Sequence, residues 1–317
     1  MEWRFVIAGV WSMAGTMRVT FWGVRGSYPV PGSDTVGFGG NTPCVEVEAN
    51  GHTIILDAGT GIVRLGNDLL RRAKERGGPV RATLLFSHMH HDHTQGFPFF
   101  TPAYVGSSIL NIFGPRVFER DLEETLAHSM LPPSFPVSLG EMNSLKFMRN
   151  MTETDVLLFD ANQDTVTVKN FYHDQITDDP DVVQIRAMRS YAHPEGVFIY
   201  RVQWQGKSVV YATDTEGYVN TDQRLAAFAN QTDLLIHDAQ YSEAHYLGHA
   251  GYNATQGWGH STPQMACAVA MAAQAKRLVL FHHEPRYNDA MIRELEQASQ
   301  AIFANTTAAY EGLTIEI

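Results

Sequence analysis

From Arg18 onward, apolar and polar positions follow a period of two. In RVTFWGV (18–24), and again where Val45, Val47 and Ala49 alternate with acids, one face of a strand is apolar. Asn50-Gly51 is a type I′ hairpin signal between that strand and the apolar run Thr53 to Leu56. The period then lengthens: Ile62, Leu65, Leu69 and Leu70 share one helical face, and Gly77-Gly78-Pro79 ends a helix over 62–76. Strand and helix alternate through the rest of the chain except over 103–180. There the pattern gives way to Leu131-Pro132-Pro133-Ser134-Phe135-Pro136 and the acidic Asp178-Asp179-Pro180-Asp181. An excursion of that length predicts an inserted lid or wall segment. Phe97, Phe99, Phe100, Tyr104 and Phe135 then either line it or belong to the core. Residues 1–16 precede the regular pattern and read as an N-terminal extension with Met17 as an alternative start, leaving 17–317 as one domain. Phe5 to Trp11 followed by Ser12-Met13-Ala14 has the outline of an export signal, but Glu2 cancels the single Arg4 that the signal would need.

The chemistry lies at strand ends. Apolar, β-branched runs end at Phe86, Met188, Thr213, Ile236 and Phe281, and within a few residues come His88, His193, Asp214, His237-Asp238 and His282. Ligands of open α/β sheets collect at the carboxyl ends of strands. After Phe86 the chain reads Ser87-His88-Met89-His90-His91-Asp92-His93. In extended backbone His88 and His90 point the same way, and a turn into helix swings Asp92 and His93 toward a second position. A histidine and aspartate set of this kind suits divalent metals.

Composition narrows the class. The chain has 317 residues, 14 of them histidine, a net charge of −11 and two cysteines. Cys44 and Cys267 cannot form a disulfide framework and fit a reducing compartment, so the expected location is the cytoplasm. No apolar run is long enough for a membrane span, and the excess of acid argues against a large nucleic-acid partner held by a basic surface.

The HxHxDH run resembles the signature of the metallo-β-lactamase superfamily, and further motifs follow in that family's order over nearly all of 18–317. The resemblance implies a four-layer αββα sandwich, with the insertion between HxHxDH and the third-motif His. It implies that His88, His90 and His193 hold one zinc ion. Asp92, His93 and His282 hold a second, Asp214 bridges both, and Asp57 is a structural acid. Manganese or iron at these ligands stays open. His283 competes with His282 for the last position. The strand ending at Phe281, and the likeness of His282-His283-Glu284-Pro285-Arg286-Tyr287 to the ending of the tRNA 3′-processing endonucleases, select His282.

Gly259-His260-Ser261-Thr262-Pro263 before an apolar helix resembles the ribonuclease Z and phosphodiesterase branch. Thr262 is a good N-cap and Pro263 a good first-turn residue, so His260 stands where anions bind. The branch implies His260 as general acid, Asp92 as ligand and base, and Asp238 as support for a ligand or for His260. Ribonuclease Z enzymes with a tRNA-gripping arm carry it between the third-motif His and the bridging Asp. Here that stretch, His193 to Asp214, holds only one hairpin turning at Gln205-Gly206. The expected function is therefore a dinuclear hydrolase of a small phosphodiester, such as a cyclic nucleotide, with homodimerisation left open. The alternatives are a tRNA 3′-processing endonuclease, a metal-bearing ligand sensor, and a lactam or thioester hydrolase.

Overall fold

A computed structural model describes residues 15–116, 120–160, 166–217 and 221–317. Most of the predicted 1–16 extension lies outside the described residues. The first six strands, β1 (Arg18–Gly23), β2 (Cys44–Ala49), β3 (His52–Leu56), β4 (Arg81–Leu85), β5 (Ile109–Pro115) and β6 (Leu145–Met151), form one sheet. The next eight form the other: β7 (Asp155–Phe159), β8 (Thr167–Asn170), β9 (Val183–Ser190), β10 (Val197–Trp204), β11 (Lys207–Ala212), β12 (Leu234–Asp238), β13 (Leu278–Phe281) and β14 (Thr306–Ala308). A last strand, β15 (Thr314–Glu316), returns to pair with β1. Both tight hairpins follow from their turn residues: Asn50-Gly51 have φ of 48° and 78°, and Gln205-Gly206 have φ of 47° and 75°. Such left-handed pairs match the twist of the flanking strands.

Burial explains the layering. Alternate residues of the two sheets, among them Val19, Phe21, Val45, Val47, Tyr200, Val202 and Tyr211, meet in a central core. The outer face of the first sheet is covered by α1 (Gly61–Arg76), through Ile62, Leu65 and Leu69. Two further helices follow on this half of the chain, the short α2 (His91–Thr94) and α3 (Leu122–Ser129). On the second half come α4 (Gln223–Phe228), α5 (Glu243–Tyr246), α6 (Pro263–Ala272) and α7 (Asp289–Gln300), and α4 and α6 cover the outer face of the second sheet. The result is an αββα sandwich.

The segment 103–180, where the sequence pattern lapses, holds four strands: β5 and β6 extend the first sheet, and β7 and β8 the second. Leu122, Leu126 and Met130 of the α3 region pack on the first sheet beside Phe97 and Phe100, which are core. Tyr104 packs against that core and donates to the Pro98 carbonyl, while the exposed Phe99 meets Phe135 edge-on at 5.4 Å.

Candidate metal centre

The centre is assembled on one buried carboxylate. At the end of β3 the chain turns sharply, with Asp57 at φ 62°, and this aims its side chain at the end of β4. Asp57 Oδ1 accepts from the Ser87 N–H at 2.7 Å. Its Oδ2 accepts from Ser87 Oγ at 2.7 Å, Tyr211 OH at 2.8 Å and His93 Nδ1 at 2.8 Å. Asp214 and His282, also just past strand ends, share the left-handed backbone at φ 46° and 62°. Non-glycine residues held this way cost of order 1–3 kcal/mol each and concentrate at functional sites.

Hydrogen bonds fix which nitrogen of each imidazole stays bare. His93 gives its Nδ1–H to Asp57, and His282 gives its Nδ1–H to Gln240 Oε1 at 3.0 Å. Their Nε2 atoms face each other at 3.2 Å. Ser87 Oγ spends its own proton on Asp57, so it accepts from His88 Nδ1 at 3.0 Å. That leaves His88 Nε2 buried with no hydrogen-bond partner. His193 donates from Nδ1 to the Gly259 carbonyl at 3.1 Å and brings its bare Nε2 to 3.0 Å from His90 Nδ1. Asp214 lies between the two sets, with Oδ1 3.2 Å from His93 Nε2 and 3.3 Å from His282 Nε2, and Oδ2 3.6 Å from His88 Nε2. Asp92 Oδ2 accepts from the Ser27 N–H at 2.7 Å and lies 3.1 Å from His282 Nε2.

These donors form groups able to hold a metal ion: His88, His90 and His193; then Asp92, His93, Asp214 and His282; and a third in which Asp214 and His282 meet Asp238 and His260. A buried cluster made mostly of lone pairs is costly unless a cation satisfies it. Protons serve only half of it. Burial lowers the His93 pKa, but Asp214, Asp92 and Asp57 raise it well above its usual range. Burial and the neighbouring His93 drive His88 well below its usual value, and burial takes His193 down to about 4. The donor set thus fits divalent ions. Burial pushes the Asp92 and Asp214 carboxyls up, yet the facing histidines hold both well below the carboxylate range.

Asp238 ends β12 and organises the neighbouring loop. Its Oδ2 accepts from His260 Nδ1 at 2.7 Å, and its Oδ1 accepts from the N–H groups of Gln240 at 3.0 Å and Ser261 at 3.1 Å. Thr262 caps α6 by accepting from Met265 N–H, with Pro263 in the first turn. The His260 ring stacks on His282 at 5.1 Å and stands 5.1 Å from His193. Burial lowers its pKa, but Asp238, with Asp214 and Asp92 behind it, pushes it up to about 9.

His283 turns away from the cluster, donating from Nε2 to the Ala309 carbonyl at 2.9 Å. His237 hydrogen-bonds the Asp238 carbonyl at 2.7 Å, and His245 is buried against Tyr287 OH at 2.9 Å; neither belongs to a donor group. His52, His91, His128, His173 and His249 also lie outside those groups.

Neither motif nor spacing pointed to Gln240, Ser27 or Gly26. A Cβ on Gly26 would come within 2.5 Å of the His282 ring. Gln240 holds His282 while donating to Glu284 and Ser27, each at 3.2 Å. Gln240→Leu removes the acceptor for His282 Nδ1–H and is expected to weaken metal binding by about 10- to 100-fold. A competitive chelator titration reads this, and unchanged affinity would show the bond to be incidental.

Known proteins fit this geometry. A family model for the "Beta-lactamase superfamily domain" matches residues 52–283. A ribonuclease Z of Picrophilus torridus is 25% identical over 331 residues, covering 96% of this chain and 97% of the relative. The metallo-β-lactamase fold protein YhfI of Bacillus subtilis superposes with a TM-score of 0.65 at 18% identity, over 96% of this chain and 100% of its own. A diphosphatase of the PhnP family does so at 0.61 and 16%, over 95% and 98%. The matched span, the sandwich and the buried histidine and aspartate groups agree: this chain belongs to the β-lactamase superfamily and is a metal-dependent hydrolase of the metallo-β-lactamase fold, resembling its ribonuclease Z branch.

Proposed function

We propose that the protein is a dinuclear phosphodiesterase acting on a small phosphodiester, a cyclic nucleotide or a compound like it. His88 Nε2, His90 Nδ1 and His193 Nε2 would hold one ion, and Asp92, His93 and His282 the other, with Asp214 reaching both. Zinc is the proposed metal, with manganese or iron at the same donors as alternatives. Such a pair acidifies water and clamps the attacking and leaving oxygens of an in-line displacement.

The observation that carries the reading is His260, hydrogen-bonded through Nδ1 to Asp238 at 2.7 Å and stacked on His282. His260 would protonate the leaving oxygen through Nε2, and Asp238 would hold the ring in the tautomer that does so. Asp92 would orient the attacking water. Hydrolysis of bis-p-nitrophenyl phosphate is expected, and to vanish with a chelator and return with added zinc or manganese. Activity indifferent to chelation would end this reading.

The second reading, a tRNA 3′-processing endonuclease, is favoured by the full-length likeness to a ribonuclease Z. Against it, β10 and β11 close at Gln205-Gly206 with no arm between them, and the net charge is −11. Long-range repulsion of that sign opposes a folded RNA outside the metal site. Clean cleavage of a precursor tRNA would reverse the preference. The proposed compartment is the cytoplasm, supported by two buried free cysteines. No helix among the described residues is long and apolar enough to cross a membrane.

A further inference from the structure

Beside the donor groups lies a cavity of about 490 Å³, lined by Tyr191, His193, Pro194, Glu195, Glu216 and Gly257, among others. It shares His193 with the first metal-donor group, and its size falls in the range of small-molecule sites. Tyr191 is 69% exposed, and Trp258, next to the lining residue Gly257, is 57% exposed. The Arg189 guanidinium packs on the Tyr191 ring, 5.8 Å from its centroid, and steadies it.

The backbone adds a second observation. Gly196 N–H donates to the His193 carbonyl at 3.0 Å across a turn with Pro194 and Glu195 at its centre, and Glu195 has φ of 67°. This is the type II turn position that glycine or asparagine normally fills. Glutamate there costs stability, and its carboxylate makes no hydrogen bond or ion pair among the described residues. Glu216, by contrast, is fully used: it accepts from Tyr246 OH at 2.6 Å, Gly257 N–H at 2.8 Å and Gly259 N–H at 3.0 Å. Among the described residues, no lysine or arginine lines the cavity.

We propose that this cavity is the nucleoside subsite of the hydrolase, with Tyr191 stacking on the base and Glu195 accepting from ribose hydroxyls or an exocyclic amine. The inference rests on the phosphodiesterase reading. It sharpens that reading, because an exposed tyrosine ring beside the Glu195 carboxylate selects a substrate that carries a flat, hydrogen-bond-donating group next to its phosphodiester.

Thymidine 5′-(4-nitrophenyl) phosphate and methyl 4-nitrophenyl phosphate share a leaving group and differ in the nucleoside. The ratio of their kcat/KM values therefore isolates the cavity. In Tyr191→Ala that ratio is expected to fall about tenfold, through KM for the thymidine ester, because one stacked base contributes about that much. Tyr191→Phe should keep the ratio, and Glu195→Gln should lower it by about three- to tenfold. Calorimetric binding of adenosine monophosphate and inorganic phosphate to the zinc-loaded protein gives a readout independent of turnover. Tyr191→Ala should weaken the nucleotide about tenfold relative to phosphate. Unchanged ratios in Tyr191→Ala and Glu195→Gln, with unchanged relative affinities, would overturn the subsite and leave phosphodiester hydrolysis standing. Wild-type protein that cleaves neither ester yet still prefers the nucleotide through Tyr191 would remove the phosphodiesterase reading and keep the subsite.

Discussion

The His260→Ala protein is expected to cleave a 2′,3′-cyclic nucleotide about 10² to 10⁴ times more slowly than wild type while retaining its metal, the usual contribution of a positioned general acid. The loss should be much smaller with bis-p-nitrophenyl phosphate. Nitrophenolate leaves without a proton, whereas a ribose alkoxide needs one. Equal losses on the two substrates would make His260 a structural or phosphate-binding group instead. The pH dependence follows from the same geometry. His260 must be protonated to act, and burial, which lowers its pKa, is outweighed by Asp238, which raises it, so the rate on the cyclic nucleotide is expected to fall along an alkaline limb. Bound cations offset the pull of Asp214 and Asp92, which leaves Asp238 at 2.7 Å as the main source of the raised value. In Asp238→Asn, burial would act almost unopposed and draw the pKa down, below the ordinary histidine value of 6.5. The alkaline limb should therefore move to lower pH. A limb that stayed in place in Asp238→Asn would assign it to another group.

The parts of this site that local pattern could reveal were those set by local geometry. The i, i+2 spacing of His88 and His90 holds because the backbone between them is extended, and the chain turns into α2 at His91. His282 and His283 illustrate how a strand end separates neighbours: β13 stops at Phe281, His282 takes a left-handed backbone, and the two imidazoles face opposite ways. The segment 103–180 hid its strands because strand formation there depends on distant partners. β6 alternates only between exposed and half-buried positions until Met151 and is held by its parallel ladder to β5. Gln240 was hidden for a related reason. Its role is set by His282, on the far side of α6, and nothing in the residues around it carries that information.

Asp57→Ala should be the most damaging single change to the folded protein. Asp57 is fully buried and serves the Ser87 N–H, Ser87 Oγ, Tyr211 OH and His93 Nδ1–H together. Removing it strands these donors in the interior at about 1–3 kcal/mol each, so a loss of about 3–5 kcal/mol is expected after partial relaxation. Against a typical total of about 5–15 kcal/mol, that should appear as a large drop in the urea midpoint. Asp57→Asn separates the structural role from the metal role. An asparagine of the same shape can still accept one of these bonds, but its amide must donate to another partner. If it donates to His93 Nδ1, the His93 proton moves to Nε2, the atom that faces His282 and Asp214. The expected result is a protein that keeps much of its urea midpoint yet binds the metal of the His93 group about 10- to 100-fold more weakly. Metal stoichiometry and chelator competition measure this directly. If the Asp57→Asn protein retained wild-type affinity at both positions, the control of the His93 tautomer by Asp57 would have to be abandoned.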